Sequence, residues 1–276
     1  MEPDAAIVAR AAGALRGART LVVTAGAGMG VDSGLPDFRG DAGFWNAYPL
    51  YERLGISFMD AADPVHFARD PAFGWGFYGH RLELYRRTVP HEGFRILRRW
   101  GERFGLDTFV VTSNVDGQFQ RAGFPEEAVE EIHGSIHHLQ CAGGCSAAIW
   151  ENREEIAVDL ATMRAANLPR CPRCGGVARP NILMFGDWGW TSDRSDEQHA
   201  RFERFLAAHR DAARLVVELG AGTALPSIRH LSEELGRRPG TTVVRINPRE
   251  PGIAPPHLAL ATGALAGLAA IDRALG

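Results

Sequence analysis

The chain is poor in cysteine, has no long apolar run and carries no excess of positive charge. Each shortage excludes a class of protein. Only four cysteines occur in 276 residues, and in a reducing compartment so few point to a metal or to catalysis rather than to disulfides. No apolar stretch approaches the roughly 18 residues that a membrane-spanning helix needs. The formal net charge is −3, so no global basic field argues for nucleic acid or an anionic membrane as a partner. Internal repeats and low-complexity tracts are also missing. Met1-Glu2-Pro3-Asp4 is acidic where a secretory signal would be basic. The expectation is a soluble, cytoplasmic protein with no membrane or nucleic-acid partner.

What is present is a globular balance, 45% apolar and 23% charged, in a chain long enough for one large domain, or a large domain with a smaller insertion. Residues 4–17 place Ala5, Ile7, Val8, Ala11, Ala12 and Leu15 at helical spacing. Thr20–Thr24, Asp107–Thr112, Arg214–Leu219 and Thr241–Ile246 are short β-branched runs, each closed by a small or polar turn. Helical patterns over 92–103, 198–211 and 226–237 separate them, and that alternation predicts a doubly wound parallel α/β sheet. Two stretches break the rhythm. Residues 41–90 are crowded with aromatics and show no strand signal, and residues 137–178 hold all four cysteines. The expected organisation is a Rossmann-like domain of residues 1–40, 91–136 and 179–276. A helical insertion (41–90) and a zinc-binding module (137–178) together form a smaller domain.

The cysteines fall into two knuckles, Cys141-Ala-Gly-Gly-Cys145 and Cys171-Pro-Arg-Cys174, the second followed by Gly175-Gly176. Zinc favours four soft ligands in a tetrahedron, and two short Cys knuckles supply two each. Four thiolates leave no open position, so the expected zinc is structural.

The run Thr24-Ala-Gly26-Ala27-Gly28-Met29 follows a strand and offers close backbone approach with exposed N–H groups, as a pyrophosphate site requires. A helix is expected to follow it. No acidic residue closes a second strand about 20 residues later, as hydride-transfer dehydrogenases have it. The chain runs instead into Ser33-Gly34-Leu35-Pro36-Asp37-Phe38-Arg39.

That longer string resembles the first motif of the sirtuin family, and the likeness continues in order. Thr112-Ser113-Asn114-Val115-Asp116 is similar to the family's TQNID, and Glu131-Ile132-His133-Gly134-Ser135 to its E-L-HG-S. The cysteine pairs stand at the family's zinc position. Arg179-Pro180-Asn181-Ile182-Leu183-Met184-Phe185-Gly186-Asp187 resembles RP-x-VV-x-FGE, Gly222-Thr223-Ala224-Leu225 resembles GTSL, and Ile246-Asn247 resembles the final I/L-N.

The resemblance implies NAD-dependent removal of an acyl group from lysine in a protein or peptide. The acyl oxygen attacks C1′ of the nicotinamide ribose as nicotinamide leaves, and O-acyl-ADP-ribose forms. It implies His133 as the catalytic general base, suited by an imidazole pKa near neutrality. Gly26, Ala27, Gly28 and Met29 would line the pyrophosphate and ribose, and Asp37, Phe38 and Arg39 the nicotinamide end. Ser113, Asn114, Val115 and Asp116 would serve the nicotinamide ribose and carboxamide. Gly222, Thr223, Ala224 and Asn247 would hold the adenosine half, with Ala264 beside the adenine. Ile182, Phe185 and Gly186 would pair with the extended substrate backbone. Tyr78 and Arg81 match a Tyr-x-x-Arg pair that in one sirtuin class selects acidic acyl groups. Guanidinium meets carboxylate through charge-assisted bonds, and plain acetyl is the competing reading.

The chain departs from the family at Ser113, where glutamine is usual, at Gln118-Phe119, at Ala224 and Ser227, and at Asn181 and Asp187. Trp188 and Trp190 are expected to pack against the small domain. An ADP-ribosyltransferase or NAD glycohydrolase on the same scaffold, and a non-catalytic NAD-sensing module, are the alternatives.

Overall fold

The structure is a computed structural model that describes residues 4–37 and 40–276, the side chains of residues 40–42 excepted. It opens with α1 (Ala5–Gly17), started by the Asp4 carboxylate accepting from the N–H groups of Ala6 and Ile7. Strand β1 (Thr20–Ala25) follows. A run of short helices comes next: α2 (Gly40–Ala47), α3 (Pro49–Arg53), α4 (Phe58–Ala61) and α5 (Val65–Arg69). The longer α6 (Pro71–Arg87) and α7 (Glu92–Phe104) lead into β2 (Asp107–Thr112), α8 (Gln118–Arg121) and β3 (Val129–Glu131). Then come β4 (Gly134–Cys141), β5 (Ile149–Glu151), β6 (Val158–Asp159), β7 (Arg164–Ala165) and β8 (Ala178–Ile182). The chain finishes with α9 (Asp193–Ala208), β9 (Arg214–Leu219), α10 (Ser227–Gly236), β10 (Thr241–Ile246), β11 (Leu258–Leu260) and α11 (Ala264–Leu275).

The main sheet has six strands in the order β11-β10-β9-β1-β2-β3, all parallel. Alternate residues along the central strands enter two different cores. Leu21, Val23, Leu215, Val217 and Leu219 join a cluster with α1, α7 and α11, while Val22, Phe109, Val111 and Val216 join another with Phe202 and Leu206 of α9 and Ile228 and Leu235 of α10. Helices therefore cover both faces, which is why these strands are apolar without alternation. The sheet is the doubly wound α/β architecture read from the sequence. Four of its strands match the β-branched runs; β3 and β11, three residues each, were not foreseen.

The strand order reverses between β1 and β9, and a crevice forms at their carboxyl ends, where ligands bind in such sheets. After β1 the expected helix does not form. Two single 3-10 turns, Ala27–Met29 and Val31–Ser33, end at Gly34 in a left-handed conformation. The backbone here is too irregular for a helix because it must stay against the β9 loop. A Cβ on Gly28 would lie 2.7 Å from Gly220 Cα, and the Gly28 N–H bonds the Gly220 carbonyl at 3.1 Å.

A second, antiparallel sheet runs β5-β4-β8, with β6 and β7 as a separate hairpin. Its core joins Ile136, Leu139, Ala178 and Ile182 to Phe44, Tyr51, Trp75, Phe77 and Tyr78 of the helical stretch. β4 begins before residue 137 and β8 continues past residue 178, so this sheet reaches across both positions at which the sequence places a boundary. No helix of the described residues is long and apolar enough to cross a membrane.

Candidate active site

A cavity of about 570 Å3 opens at the switch point, between the two sheets. Its wall gathers residues far apart in sequence: Gly26, Ala27 and Asp37; Tyr78, Arg81 and Tyr85; Ser113 through Asp116; His133; Ile182 and Phe185; Gly222, Thr223 and Ala224; and Glu250. Most of the candidate residues thus meet in one place. Gly28, Met29, Asn247, Ala264 and Gly186 lie outside this lining. Phe38 and Arg39 lie outside the described residues.

Several of the residues outside the lining brace it. Met29 is fully buried, and its carbonyl is held by His91 Nε2 at 2.8 Å. Asn247 Nδ2 donates to the Ala221 carbonyl at 2.8 Å, and its Oδ1 accepts from the N–H groups of Arg249 and Glu250. Asn247 therefore ties the loop after β9 to the loop after β10. Arg229 repeats the tie, with Nη1 donating to the Ala221 and Glu250 carbonyls. Together they set Glu250 at the cavity wall, where Thr223 Oγ1 donates to it. The sequence reading missed Glu250; its one signal is its place three residues after Asn247 in the turn that closes β10. Arg249 forms an ion pair with Asp37 from the opposite loop.

The residues expected at the nicotinamide end follow β2. Asn114 Nδ2 donates to the Gly26 carbonyl at 3.0 Å, which fixes the glycine loop against β2. Asp116 is buried, accepts from the Gln118 N–H at 3.0 Å, and has its pKa pushed up to about 6 by burial, with Arg81 acting against the rise.

His133 sits between β3 and β4. Burial lowers its pKa below the usual imidazole value, with a hydrogen bond to the Ser113 backbone acting the other way. The ring is therefore neutral near pH 7 and able to accept a proton. The glycine after it is a steric requirement. Gly134 has φ +76°, and a Cβ there would lie 2.1 Å from the Asn181 carbonyl oxygen. Contact with β8 is that close because the His133 carbonyl accepts from the Leu183 N–H at 2.9 Å. The loop beyond is held by a buried ion pair, Arg179 with Asp187. Arg179 also donates to the Ile182 carbonyl at 2.7 Å, and Asp187 accepts from the Met184 and Gly189 N–H groups. Asp187, a departure from the family pattern, keeps a carboxylate on that arginine.

Helix α6 starts with Pro71 and the Asp70 side chain, which accepts from the Phe73 N–H. Tyr78 and Arg81, three residues apart, share its buried face and both reach the cavity. The Tyr78 phenol is pushed up to about 12, mainly by burial, so it is a neutral hydrogen-bonding group.

The four cysteine sulfurs lie within 4.8 Å of one another. Cys141 and Cys174 are 3.7 Å apart and Cys145 and Cys171 3.6 Å. A tetrahedron with Zn–S bonds of about 2.3 Å puts its sulfurs about 3.8 Å apart, whereas a disulfide closes to about 2 Å. The donor set and its geometry fit structural zinc. The expectation for the tryptophans is overturned for Trp188, which is fully exposed at the tip of the turn after Asp187; Trp190 is half-buried.

Comparison with known proteins agrees with this geometry. The Sir2 family pattern matches residues 26–207. An NAD-dependent protein deacylase of Thermococcus kodakarensis is 31% identical over 251 residues, covering 90% of this chain and 88% of that protein. An NAD-dependent protein deacylase 1 of Pseudomonas aeruginosa is 33% identical over 236 residues, 85% of each chain. A Sir2 homologue mutant solved with ADP-ribose superposes with a TM-score of 0.72 at 26% identity, covering 96% of this chain and 95% of that one. A Sir2 homologue in complex with NAD gives a TM-score of 0.70 at 24% identity, over 97% and 94%.

Proposed function

The chain belongs to the Sir2 family, and from that premise we propose that its cavity is where NAD and an acylated lysine meet. The protein is an NAD-dependent protein deacylase, with an acylated protein or peptide as its partner. The observation that carries the site assignment is the convergence of His133, Asn114 and Asp116 with the glycine loop on one cavity at the sheet's switch point. NAD fits that cavity as co-substrate and supplies an electrophilic C1′ with nicotinamide as the leaving group. The backbone of Gly26 and Ala27 lines the space for its phosphates, residues 222–224 serve the adenosine half, and Glu250 accepts from a ribose hydroxyl. Asn114 and Asp116 hold the nicotinamide end. His133, neutral because buried, takes the proton of a ribose hydroxyl, which then captures the acyl carbon; with one water consumed, the products are nicotinamide, O-acyl-ADP-ribose and the free lysine amine. The strand end Ile182–Gly186 pairs with the peptide main chain. Structural zinc at Cys141, Cys145, Cys171 and Cys174 fixes the base of β4 and β8. In domain terms, residues 1–40, 91–136 and 179–276 serve the nucleotide, and 41–90 with 137–178 form the smaller part. The site of action is the cytoplasm.

The acyl group is acidic: succinyl, malonyl or a relative. Arg81 is 7% exposed, and burying a guanidinium in an aromatic wall is costly. A substrate carboxylate, aided by the Tyr78 hydroxyl, offsets that cost through charge-assisted bonds. The test is incubation with NAD and matched acetyl-, succinyl- and malonyl-lysine peptides, read by mass spectrometry. Faster loss of the acidic acyl groups supports the reading. NAD consumption with every peptide left acylated overturns it.

A further inference from the structure

Arg81 is held by more than the helix that carries it. Its Nε and Nη2 both donate to one oxygen, the Tyr85 hydroxyl, at 3.1 and 2.7 Å. Its Cζ lies 5.1, 5.6 and 5.4 Å from the ring centroids of Phe77, Tyr78 and Tyr85, close enough for each ring face to attract the cation. Tyr85 is itself buried and lines the cavity. It is anchored through its main chain, whose carbonyl accepts from Gln118 Nε2 at 3.2 Å. Gln118 in turn donates its N–H to Asp116. Tyr85 thus joins the guanidinium to the segment that carries the nicotinamide-side residues.

We propose that Tyr85 is a positioning residue that sets the selectivity for acidic acyl groups, an inference that rests on the acidic-acyl reading above. A guanidinium offers two edges for bidentate bonding, Nε with Nη2 and Nη1 with Nη2. The Tyr85 oxygen takes the first, which fixes the plane of the guanidinium and so the direction from which a carboxylate meets it. Having accepted two N–H bonds, the Tyr85 phenol directs its own proton elsewhere, and the carboxylate is an acceptor for it. A long arginine side chain samples many rotamers, and fixing it by one oxygen and three rings defines a single span between the reacting carbonyl and the charged end. A single span selects one acyl chain length.

The experiment compares wild type, Tyr85→Phe and Arg81→Met on acetyl-, malonyl-, succinyl- and glutaryl-lysine peptides of one sequence, with NAD saturating. Tyr85→Phe keeps the ring and removes one oxygen. It is expected to lower the ratio of acidic-acyl to acetyl kcat/KM by about tenfold, the size of one charge-assisted hydrogen bond, chiefly through KM. It is also expected to flatten the preference among the three acidic chain lengths. Equal unfolding temperatures check that it folds, and Tyr85→Met is a second variant without the hydroxyl. An equal loss on acetyl and acidic peptides, or an unchanged ratio, overturns the role of Tyr85. Wild type acting on the acetyl peptide with no acidic preference overturns the acidic-acyl reading itself, and the wild-type rows alone show it.

Discussion

Replacing Gly134 with alanine tests whether the residue beside the proposed base is fixed by the approach of β8. Two costs add. Holding an L-residue at φ +76° costs roughly 1–2 kcal/mol. The new Cβ would stand 2.1 Å from the Asn181 carbonyl oxygen, while ordinary contact begins above 3 Å, so strand β8 has to move by about 1 Å. Overpacking of this kind costs roughly 1–3 kcal/mol, giving a total of about 2–5 kcal/mol. For a chain of this size that is a fall in unfolding temperature of about 4–20 °C. Gly105→Ala is the control, because Gly105 is also left-handed, with φ +59°, but has nothing within 4 Å of its would-be Cβ. It bears the first cost alone. The assay is calorimetric unfolding of both variants beside wild type, together with kcat/KM on one acyl peptide. Moving β8 also breaks the bond between Leu183 and the His133 carbonyl, so Gly134→Ala should lose activity beyond its loss of stability, and Gly105→Ala should not. Equal destabilisation by the two substitutions would refute the close-approach argument.

The remaining predictions concern protons and metal. If His133 is the base, kcat/KM rises with pH as the imidazole loses its proton; because burial lowers its pKa, the midpoint falls below about 6.5 and the profile is flat through pH 7–8. A midpoint above 7 in the pH profile contradicts that role. Glu131 is buried, paired with Arg194 at 2.7 Å, and raised to about 7 by burial. A carboxyl raised in the folded state binds more protons there than when unfolded, so its contribution to stability falls as pH climbs from about 4.5 toward 7. Arg194→Met removes the compensating charge and should cost about 3 kcal/mol at pH 7.5 and clearly less at pH 5, measured by denaturant titration; equal losses at the two pH values would rule this out. Cys171→Ser should lower bound zinc, measured by elemental analysis, and the unfolding temperature together, while a stoichiometric metal content in that variant would argue against the four-thiolate site.

Much of the fold was legible because parallel strands covered on both faces must be apolar along their whole length. The runs Val22-Val23, Val110-Val111, Val216-Val217 and Val243-Val244 gave four strands at once. β3 and β11 escaped because three residues carry too little pattern to stand out. β8 escaped for a different reason: Arg179, Pro180 and Asn181 are polar or ring-closed, yet all are buried, with the Arg179 guanidinium on Asp187 and the Asn181 Nδ2 donating to Gln140 and Thr191. No periodicity announces a strand that is buried through its hydrogen bonds. The candidate site was legible wherever a residue belongs to a short ordered motif. Tyr85 and Glu250 were not, since one meets the cavity's arginine four residues back on α6 through a single hydroxyl and the other stands in an irregular turn. Asn247, expected beside the adenosine half, also braces two loops, which only its hydrogen-bond partners reveal.

The most direct measurement is the identity and stoichiometry of the products formed from NAD and an acyl-lysine peptide by wild type and by His133→Ala. The account predicts one nicotinamide, one deacylated peptide and one O-acyl-ADP-ribose per turnover for wild type. For His133→Ala it predicts no acyl transfer but retained NAD binding by calorimetric titration. Free ADP-ribose or ADP-ribosylated protein as the sole product, with the peptide still acylated, would contradict it.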